Sequence, residues 1–174
     1  IDLMPIALII TMTGIWVMSL SVPESSDHNL THKQLPLRDI LKQPAILAFF
    51  TVCFLVILSH GPYYTFYSIY LEQNGYSRTL IGQLWALGVL AEVIVFIFMH
   101  RFIPRYGLRL ILILSLLLST LRWLLIGLFP NMITVLLFAQ LLHAASFGTF
   151  HAAAIAWVHQ HFVGKNQARG QALY

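Results

Sequence analysis

Three ionisable side chains lie deep within long apolar stretches of this sequence, and they are its main candidates for chemistry. They are Glu92, Arg122 and His143. An ionisable group near the centre of a bilayer costs at least about 2.5–3.5 kcal/mol on insertion scales, so such groups usually face the interior of a helix bundle. A carboxylate and an imidazole exchange protons, whereas a guanidinium binds an anion or a carboxylate. We therefore predict proton coupling through Glu92 and His143, and anion binding or pairing with Glu92 at Arg122.

Aromatic and histidine side chains form a stripe on another apolar stretch. Residues three, four or seven apart share a helix face, which places His60, Tyr64 and Tyr67 together, with Tyr63 beside them. Trp85 shares a face with Glu92, one heptad earlier. Rings of this kind stack on an apolar or aromatic substrate. With Arg122 as the anion-binding group, the predicted substrate-binding residues are Arg122, Tyr63, Tyr64, Tyr67, Trp85, His60 and His151.

The relative positions of these groups limit how they can pair. His143 shares its helix face with Gln140 and Phe147, and His151 is expected about 80° further round the helix. Glu92 and Arg122 differ in predicted depth by about 9 Å at about 1.5 Å per residue. A direct bridge between them therefore requires the full reach of the arginine side chain.

Each of these residues also has a structural interpretation. Arg122 would then extend its charge toward the interface, and Glu92 would be a hydrogen-bond partner between helices. His143 is equally consistent with a proton relay and with a satisfied interhelical donor. His60 and His151 fit structural roles, and the tyrosine stripe also fits an aromatic belt at the membrane interface.

The elements that position these residues are membrane-spanning helices. Hydrophobic residues make up 59% of the 174 positions and charged residues 9%, far from the roughly 25% charged residues of a soluble domain. A span needs about 20 apolar residues. Five segments qualify, at about 2–22, 44–70, 77–99, 108–128 and 132–158. The sequence thus predicts an all-α fold, a polytopic transmembrane helix bundle.

Basic residues predict the orientation of this bundle. Lys and Arg fall in the loop before residue 44, in the loop around residues 101–109 and after residue 158, whereas the opposite side carries only Arg78. By the positive-inside rule, the three basic segments are cytoplasmic. We therefore divide the chain into a transmembrane helix at 1–22, a cytoplasmic linker with a short amphipathic helix at 23–43, and a transmembrane bundle at 44–174. Both ends of the chain are expected to be truncations.

The sequence argues against several other classes of protein. It contains no nucleophile elbow, phosphate-binding loop or pair of carboxylates, so we predict that it is not an enzyme and has no catalytic residues. One cysteine and a net charge of +4 suggest no metal site, cofactor or nucleic-acid partner. One rival is a membrane enzyme that holds a metal on His143 and His151, although it lacks a further nearby ligand. Another is a receptor or scaffold that binds ligand without flux.

Several stretches resemble the 3-phenylpropionate transporter family of the major facilitator superfamily, close to lactose permease and the nucleoside–proton symporters. The resemblance covers nearly all of residues 44–174, and its most specific part runs from Trp85 to Glu92. The stretches that carry it are His60-Gly61-Pro62-Tyr63-Tyr64, Gly75-Tyr76-Ser77, Leu84-Trp85-Ala86-Leu87-Gly88-Val89-Leu90-Ala91-Glu92, Leu121-Arg122-Trp123, Gln140-Leu141-Leu142-His143 and Thr149-Phe150-His151. The basic loop Arg101-Phe102-Ile103-Pro104-Arg105-Tyr106-Gly107 resembles the cytoplasmic loop signature of the superfamily in degraded form.

This resemblance implies a major facilitator fold in which the chain supplies about the sixth to tenth spans, the carboxy-terminal half without its last spans. Arg122 and His143 fall where lactose permease has its intramembrane Arg and His. The carboxylate that the permease carries three residues later is replaced by Ser146, and Glu92 matches the carboxylate of its eighth span with an offset of about one turn.

The implied function is proton-coupled uptake of a small organic solute by alternating access, with an aromatic carboxylate such as 3-phenylpropionate as substrate. A sugar or nucleoside proton symporter on the same fold is the alternative. The implied partners are the substrate, protons, the lipid bilayer and the amino-terminal half of the same chain. The implied location is the bacterial inner membrane.

Overall fold

Long helices account for most of the chain that the structure, a computed structural model, describes, namely residues 36–174. The predicted span at 2–22 and most of the predicted linker lie outside these residues. The helices are α1 (Leu37–Leu41), α2 (Pro44–Gln73), α3 (Arg78–Tyr106), α4 (Leu108–Leu128), α5 (Ile133–His143), α6 (Thr149–His161) and α7 (Gln167–Leu173). A π-helical segment, Ala144–Gly148, joins α5 to α6 without a break, and a 3₁₀ turn, Gly164–Asn166, precedes α7.

The helix boundaries follow from local sequence signals. Pro44 occupies the first turn of α2, where its missing N–H is not needed. The Ser77 side chain accepts a hydrogen bond from the Leu80 amide at 3.3 Å and caps α3. Gly75 has φ 85° and Gly107 has φ 77°, the left-handed region that glycine adopts without steric cost. These two glycines turn the chain from α2 into α3 and from α3 into α4.

Within residues 36–174, four apolar helical stretches are long enough to cross a membrane. They are Pro44–Gln73, Arg78–Tyr106, Leu108–Leu128 and Ile133–His161, the last combining α5, the π-helical segment and α6. Large apolar side chains point outward along them; Phe54 is 64% exposed and Leu117 is 61% exposed. Helices that are apolar on their outer faces are stable in lipid rather than in water. The described residues thus form an all-α transmembrane bundle, as predicted.

The α5–α6 span is the most enclosed of the four and packs against both α3 and α4. Near its start, Leu136 and Ala139 join a cluster with Tyr63, Leu71 and Leu84. Near its end, a second cluster joins α6 to the first half of α2, through residues that include Ile46, Phe49, Val158 and Phe162. Of the predicted site residues, Tyr63 and Tyr67 belong to the first cluster and Trp85 packs against it, whereas His143 and His151 lie on the span between the two clusters.

The π-helical segment was not predicted, and it changes which residues share a face. Each residue of a π turn advances by less than the roughly 100° of an α-helix. As a result, the Phe147 ring stacks with His143 at 5.4 Å and 7° and with His151 at 6.3 Å and 11°. The expectation that His151 lies about 80° round from His143 is wrong, because it assumed an unbroken α-helix. The three rings instead form one column along the helix.

Candidate functional site

Arg122 is the most unusual residue of the site. Its side chain is fully buried in the second half of α4, and its three guanidinium nitrogens have no hydrogen-bond partner among residues 36–174. The guanidinium carbon lies 4.1 Å from the centre of the Tyr63 ring and 4.5 Å from that of Trp123. Cation–π contacts of this kind are worth about 2 kcal/mol when desolvated, but they leave the N–H donors free. Arg122 therefore offers a buried positive charge with unused donors.

Glu92 pairs with His143 and not with Arg122. Oε1 of Glu92 lies 3.1 Å from Nε2 of His143, and both side chains are largely buried. Glu92 Oε1 has no hydrogen-bond partner among the described residues, so this is a close contact between a carboxylate and an imidazole. The predicted alternative of a Glu92–Arg122 bridge is wrong for this structure: in its described part the two ion pairs are Glu92–His143 and Arg78–Glu72.

Gln140 connects two tyrosines on α2. The Tyr63 hydroxyl donates to Oε1 of Gln140 at 3.0 Å, and Nε2 of Gln140 donates to the Tyr67 hydroxyl at 2.8 Å. All three side chains are buried. Gly88 on α3 permits this arrangement, because a Cβ there would lie 3.1 Å from Oε1 of Gln140. The amide thus fixes the Tyr63 ring on which Arg122 rests.

His60 lies among four rings in the centre of the site. It is fully buried, with ring centroids 5.9 Å from His143, 4.7 Å from Phe147, 5.1 Å from Trp123 and 6.2 Å from Tyr64. Its Nδ1 lies 2.8 Å from the Val56 carbonyl oxygen. Its Nε2 has no partner within the part of the chain that the structure describes. The sequence placed His60 on the same stripe as Tyr64, and the structure brings both to His143.

Tyr64 and Trp85 form the open wall of the site. Tyr64 is 51% exposed, and its ring is nearly parallel to that of Trp85 at 6.0 Å. The Trp85 indole N–H donates to the Ser68 hydroxyl at 3.1 Å, which fixes the indole orientation. The ring faces of this pair present an aromatic surface beside the buried charges.

His151 lies at the edge of the site. Its Nδ1 is 2.9 Å from the Tyr174 hydroxyl, and its ring contacts Phe147 and Phe96. Because Phe147 lies between His151 and His143, the two imidazoles do not meet as ligands of one metal would. Within residues 36–174, no three His, Cys, Asp or Glu side chains form a group that could hold a metal ion.

Sequence reasoning missed three residues that complete the site. Gln140 and Phe147 were placed on the His143 face, but neither was assigned a role. Trp123 follows Arg122 directly, and adjacent helical residues do not ordinarily share a face. Its contact arises because the long Arg122 side chain bends back over the indole. The chemistry of Gln140 could have indicated its role, because a buried glutamine needs hydrogen-bond partners for both its donor and its acceptor.

The site as a whole combines an unpaired cation, a titratable pair and aromatic walls. This arrangement can bind a small organic anion and can hold or release a proton beside it. A separate cavity of about 810 Å³ lies between α2, α4 and α6 and is lined by apolar side chains such as Phe49, Leu112 and Trp157. It includes none of the predicted site residues.

Comparisons with known proteins identify the family to which the chain belongs. The model of the family described as "MFS_1 like family" matches residues 1–174. The chain is 34% identical over 116 residues to the "Probable 3-phenylpropionic acid transporter" of Escherichia coli (strain K12), covering 67% of the chain and 30% of that relative. It is 25% identical over 142 residues to the "Uncharacterized transporter YwbF" of Bacillus subtilis (strain 168), covering 82% of the chain and 35% of that relative. The matches thus span about a third of each curated relative. No solved structure matches the chain.

Proposed function

The chain belongs to the MFS_1 like family, and from this premise we propose that it forms part of a secondary transporter that takes up a small organic anion together with protons. The leading substrate class is the aromatic monocarboxylates, of which 3-phenylpropionate is an example. The chain is an integral membrane protein, and we place it in the bacterial inner membrane. The wider family resemblance and the names of both relatives, each called a transporter, support this proposal over an enzyme.

The single observation that carries the proposal is the state of Arg122. A fully buried guanidinium without a carboxylate partner is costly, since its desolvation is not repaid by a counter-ion. A substrate carboxylate that accepts two parallel hydrogen bonds from the guanidinium would remove this cost. The surrounding rings of Tyr63, Trp123 and Tyr64 suit a flat apolar body attached to that carboxylate.

Proton coupling is assigned to the Glu92–His143 pair. Glu92 on α3 and His143 at the end of α5 are close enough to share a proton, and neither is used by Arg122. A carboxylate–imidazole pair changes its charge by one when a proton binds, so a transmembrane proton gradient can bias the state of the site. In alternating access, the site opens to each side of the membrane in turn.

Reconstitution tests the proposal. Labelled 3-phenylpropionate is supplied to proteoliposomes that contain the full-length protein, with and without an inward proton gradient. We expect uptake that the gradient stimulates. Equal uptake with and without the gradient would contradict proton coupling but would still support the proposed substrate class. If 3-phenylpropionate is not taken up under either condition but a sugar or nucleoside is, the proposed substrate class is wrong and the alternative symporter of the same fold is correct.

A further inference from the structure

The hydrogen bonds of His60 determine which of its nitrogens carries the proton. Its Nδ1 lies 2.8 Å from the Val56 carbonyl oxygen, which only accepts hydrogen bonds. Ser59 Oγ, 3.2 Å from Nδ1, donates its own hydrogen to the same carbonyl at 2.7 Å and so is free to accept as well. Nδ1 must therefore be the N–H. In the neutral ring, Nε2 then carries a lone pair, and this nitrogen is buried without a partner among the residues described.

A second unpartnered ring nitrogen lies nearby. Nδ1 of His143 is also buried without a hydrogen-bond partner in the described part of the chain. The other nitrogen of that ring, Nε2, faces Glu92. The two imidazole centroids are 5.9 Å apart, a separation that one water molecule can bridge. A doubly protonated His143 carries a hydrogen on Nδ1, and the lone pair of His60 is an available acceptor for it.

Charged and titratable side chains from four helices surround His60. The charged and titratable groups that surround it are Arg122 from α4, Glu92 from α3, His143 from α5, and Tyr64 on its own helix. Trp123 contacts both the His60 ring and the Arg122 guanidinium, so these two side chains share a neighbour. A protonated His60 and the guanidinium of Arg122 would be like charges within one buried site, which is unfavourable. A carboxylate bound to Arg122 would remove that repulsion.

We propose that His60 is a second proton acceptor, filled when an organic anion neutralises Arg122. The Nδ1–H bond of His143 breaks, its electron pair returns to that ring, and a new N–H bond forms at Nε2 of His60, directly or through one water. The positive charge thus moves from His143 to His60, and His143 is ready to take another proton beside Glu92. This inference rests on the proposed function and goes beyond it: anion binding and proton uptake are linked through a residue predicted only as a substrate contact. Reciprocity requires that protons also tighten anion binding.

The test counts protons taken up per anion bound. 3-Phenylpropionate is titrated into the full-length protein in detergent by calorimetry, in buffers of different ionisation enthalpy at constant pH. The variant His60→Asn keeps an amide N–H for the Val56 carbonyl but has no titratable nitrogen. We expect it to bind the anion with a proton uptake lower than that of the unmodified protein, by up to about one proton. His100→Gln, which alters an exposed histidine near the end of α3, is the matched control and should leave the uptake unchanged.

Three results would overturn the inference. The first is equal proton uptake by His60→Asn and the unmodified protein, with the anion still bound; this leaves the proposed function standing. The second is an equal loss in His100→Gln. The third is absence of anion binding by the unmodified protein, which removes the proposed function and the inference together. If His60→Asn elutes as aggregate, proton uptake is measured instead with His60→Gln, which also lacks a titratable nitrogen.

Discussion

The guanidinium carbon of Arg122 lies 4.1 Å from the centre of the Tyr63 ring, whose hydroxyl is held by Gln140. The charge is therefore positioned by an aromatic face and not by a carboxylate. A guanidinium held in this way, without a carboxylate partner in the described part of the chain, has hydrogen-bond donors available for a ligand. This relationship is the basis of the account, and the predictions below follow from it.

Replacing Arg122 should weaken anion binding strongly while leaving the fold intact. In Arg122→Ala, the substrate carboxylate loses hydrogen bonds to a charged group, worth about 1.5–3 kcal/mol, so Kd should rise about 10- to 100-fold. Arg122→Lys should recover only part of this, because an ammonium cannot bind a carboxylate with two parallel hydrogen bonds. Equilibrium binding of labelled 3-phenylpropionate measures both variants. Arg78→Gln, at an exposed arginine paired with Glu72, is the control; equal losses in the two would refute a specific role for Arg122.

Replacing Glu92 should separate transport from the proton gradient. Glu92→Gln keeps the size of the side chain but removes the charge that faces His143. We expect gradient-driven accumulation in proteoliposomes to be lost, while exchange of labelled for unlabelled substrate continues. Glu72→Gln, at an exposed carboxylate, should behave as the unmodified protein does. Full gradient-driven accumulation by Glu92→Gln would show that the proton is carried elsewhere.

Two glycines on α3 provide a matched pair that tests the Gln140 contact. A Cβ at Gly88 would lie 3.1 Å from Oε1 of Gln140, whereas a Cβ at Gly82 meets nothing within 4 Å among the described residues. Gly88→Val should displace the amide, release Tyr63 and weaken anion binding several-fold. Gly82→Val introduces the same side chain on the same helix and should leave Kd unchanged. Equal values for the two variants would contradict the role of Gln140 in positioning Tyr63.

Tryptophan fluorescence can locate the bound anion. Trp123 contacts Arg122 and His60, whereas Trp157 lies in the distant cluster with Phe49, 3.9 Å from its ring. Substrate should therefore quench the emission of Trp123 and not that of Trp157. In Trp123→Phe, the fluorescence change on adding 3-phenylpropionate should decrease, while in Trp157→Phe it should persist. The reverse pattern would place the substrate in the cavity between α2, α4 and α6.

Hydropathy predicted the described membrane-spanning helices well, because a helix that crosses the lipid hydrocarbon needs a long apolar stretch. The span predicted at 108–128 is α4 itself, and the one predicted from Pro44 begins at that residue. The span predicted to end at Met99 continues to Tyr106, because His100 and Arg101 extend the helix beyond its apolar part. Polar residues are poor markers of helix ends near an interface, where the helix can continue into water.

The partners within the site were harder to predict than the helices. Helical periodicity gives the face of a residue, but it does not give the rotation of one helix against another. It therefore grouped His60 with Tyr64 correctly, but it offered Arg122 as the partner of Glu92, whereas the structure pairs Glu92 with His143. The π-helical segment changed the register of His151, and no propensity in Ala144–Gly148 identified it. The assigned roles of the site residues remain predictions.

The most direct test of the central claim compares an anion with its neutral analogue. Unlabelled 3-phenylpropionate and its primary amide compete with labelled 3-phenylpropionate for uptake into proteoliposomes that contain the full-length protein. Because Arg122 is buried without a counter-ion among residues 36–174, we predict that the carboxylate competes about 10- to 100-fold better than the amide. Equal competition by the two would contradict the claim, since it would mean that the buried charge of Arg122 does not recognise the substrate.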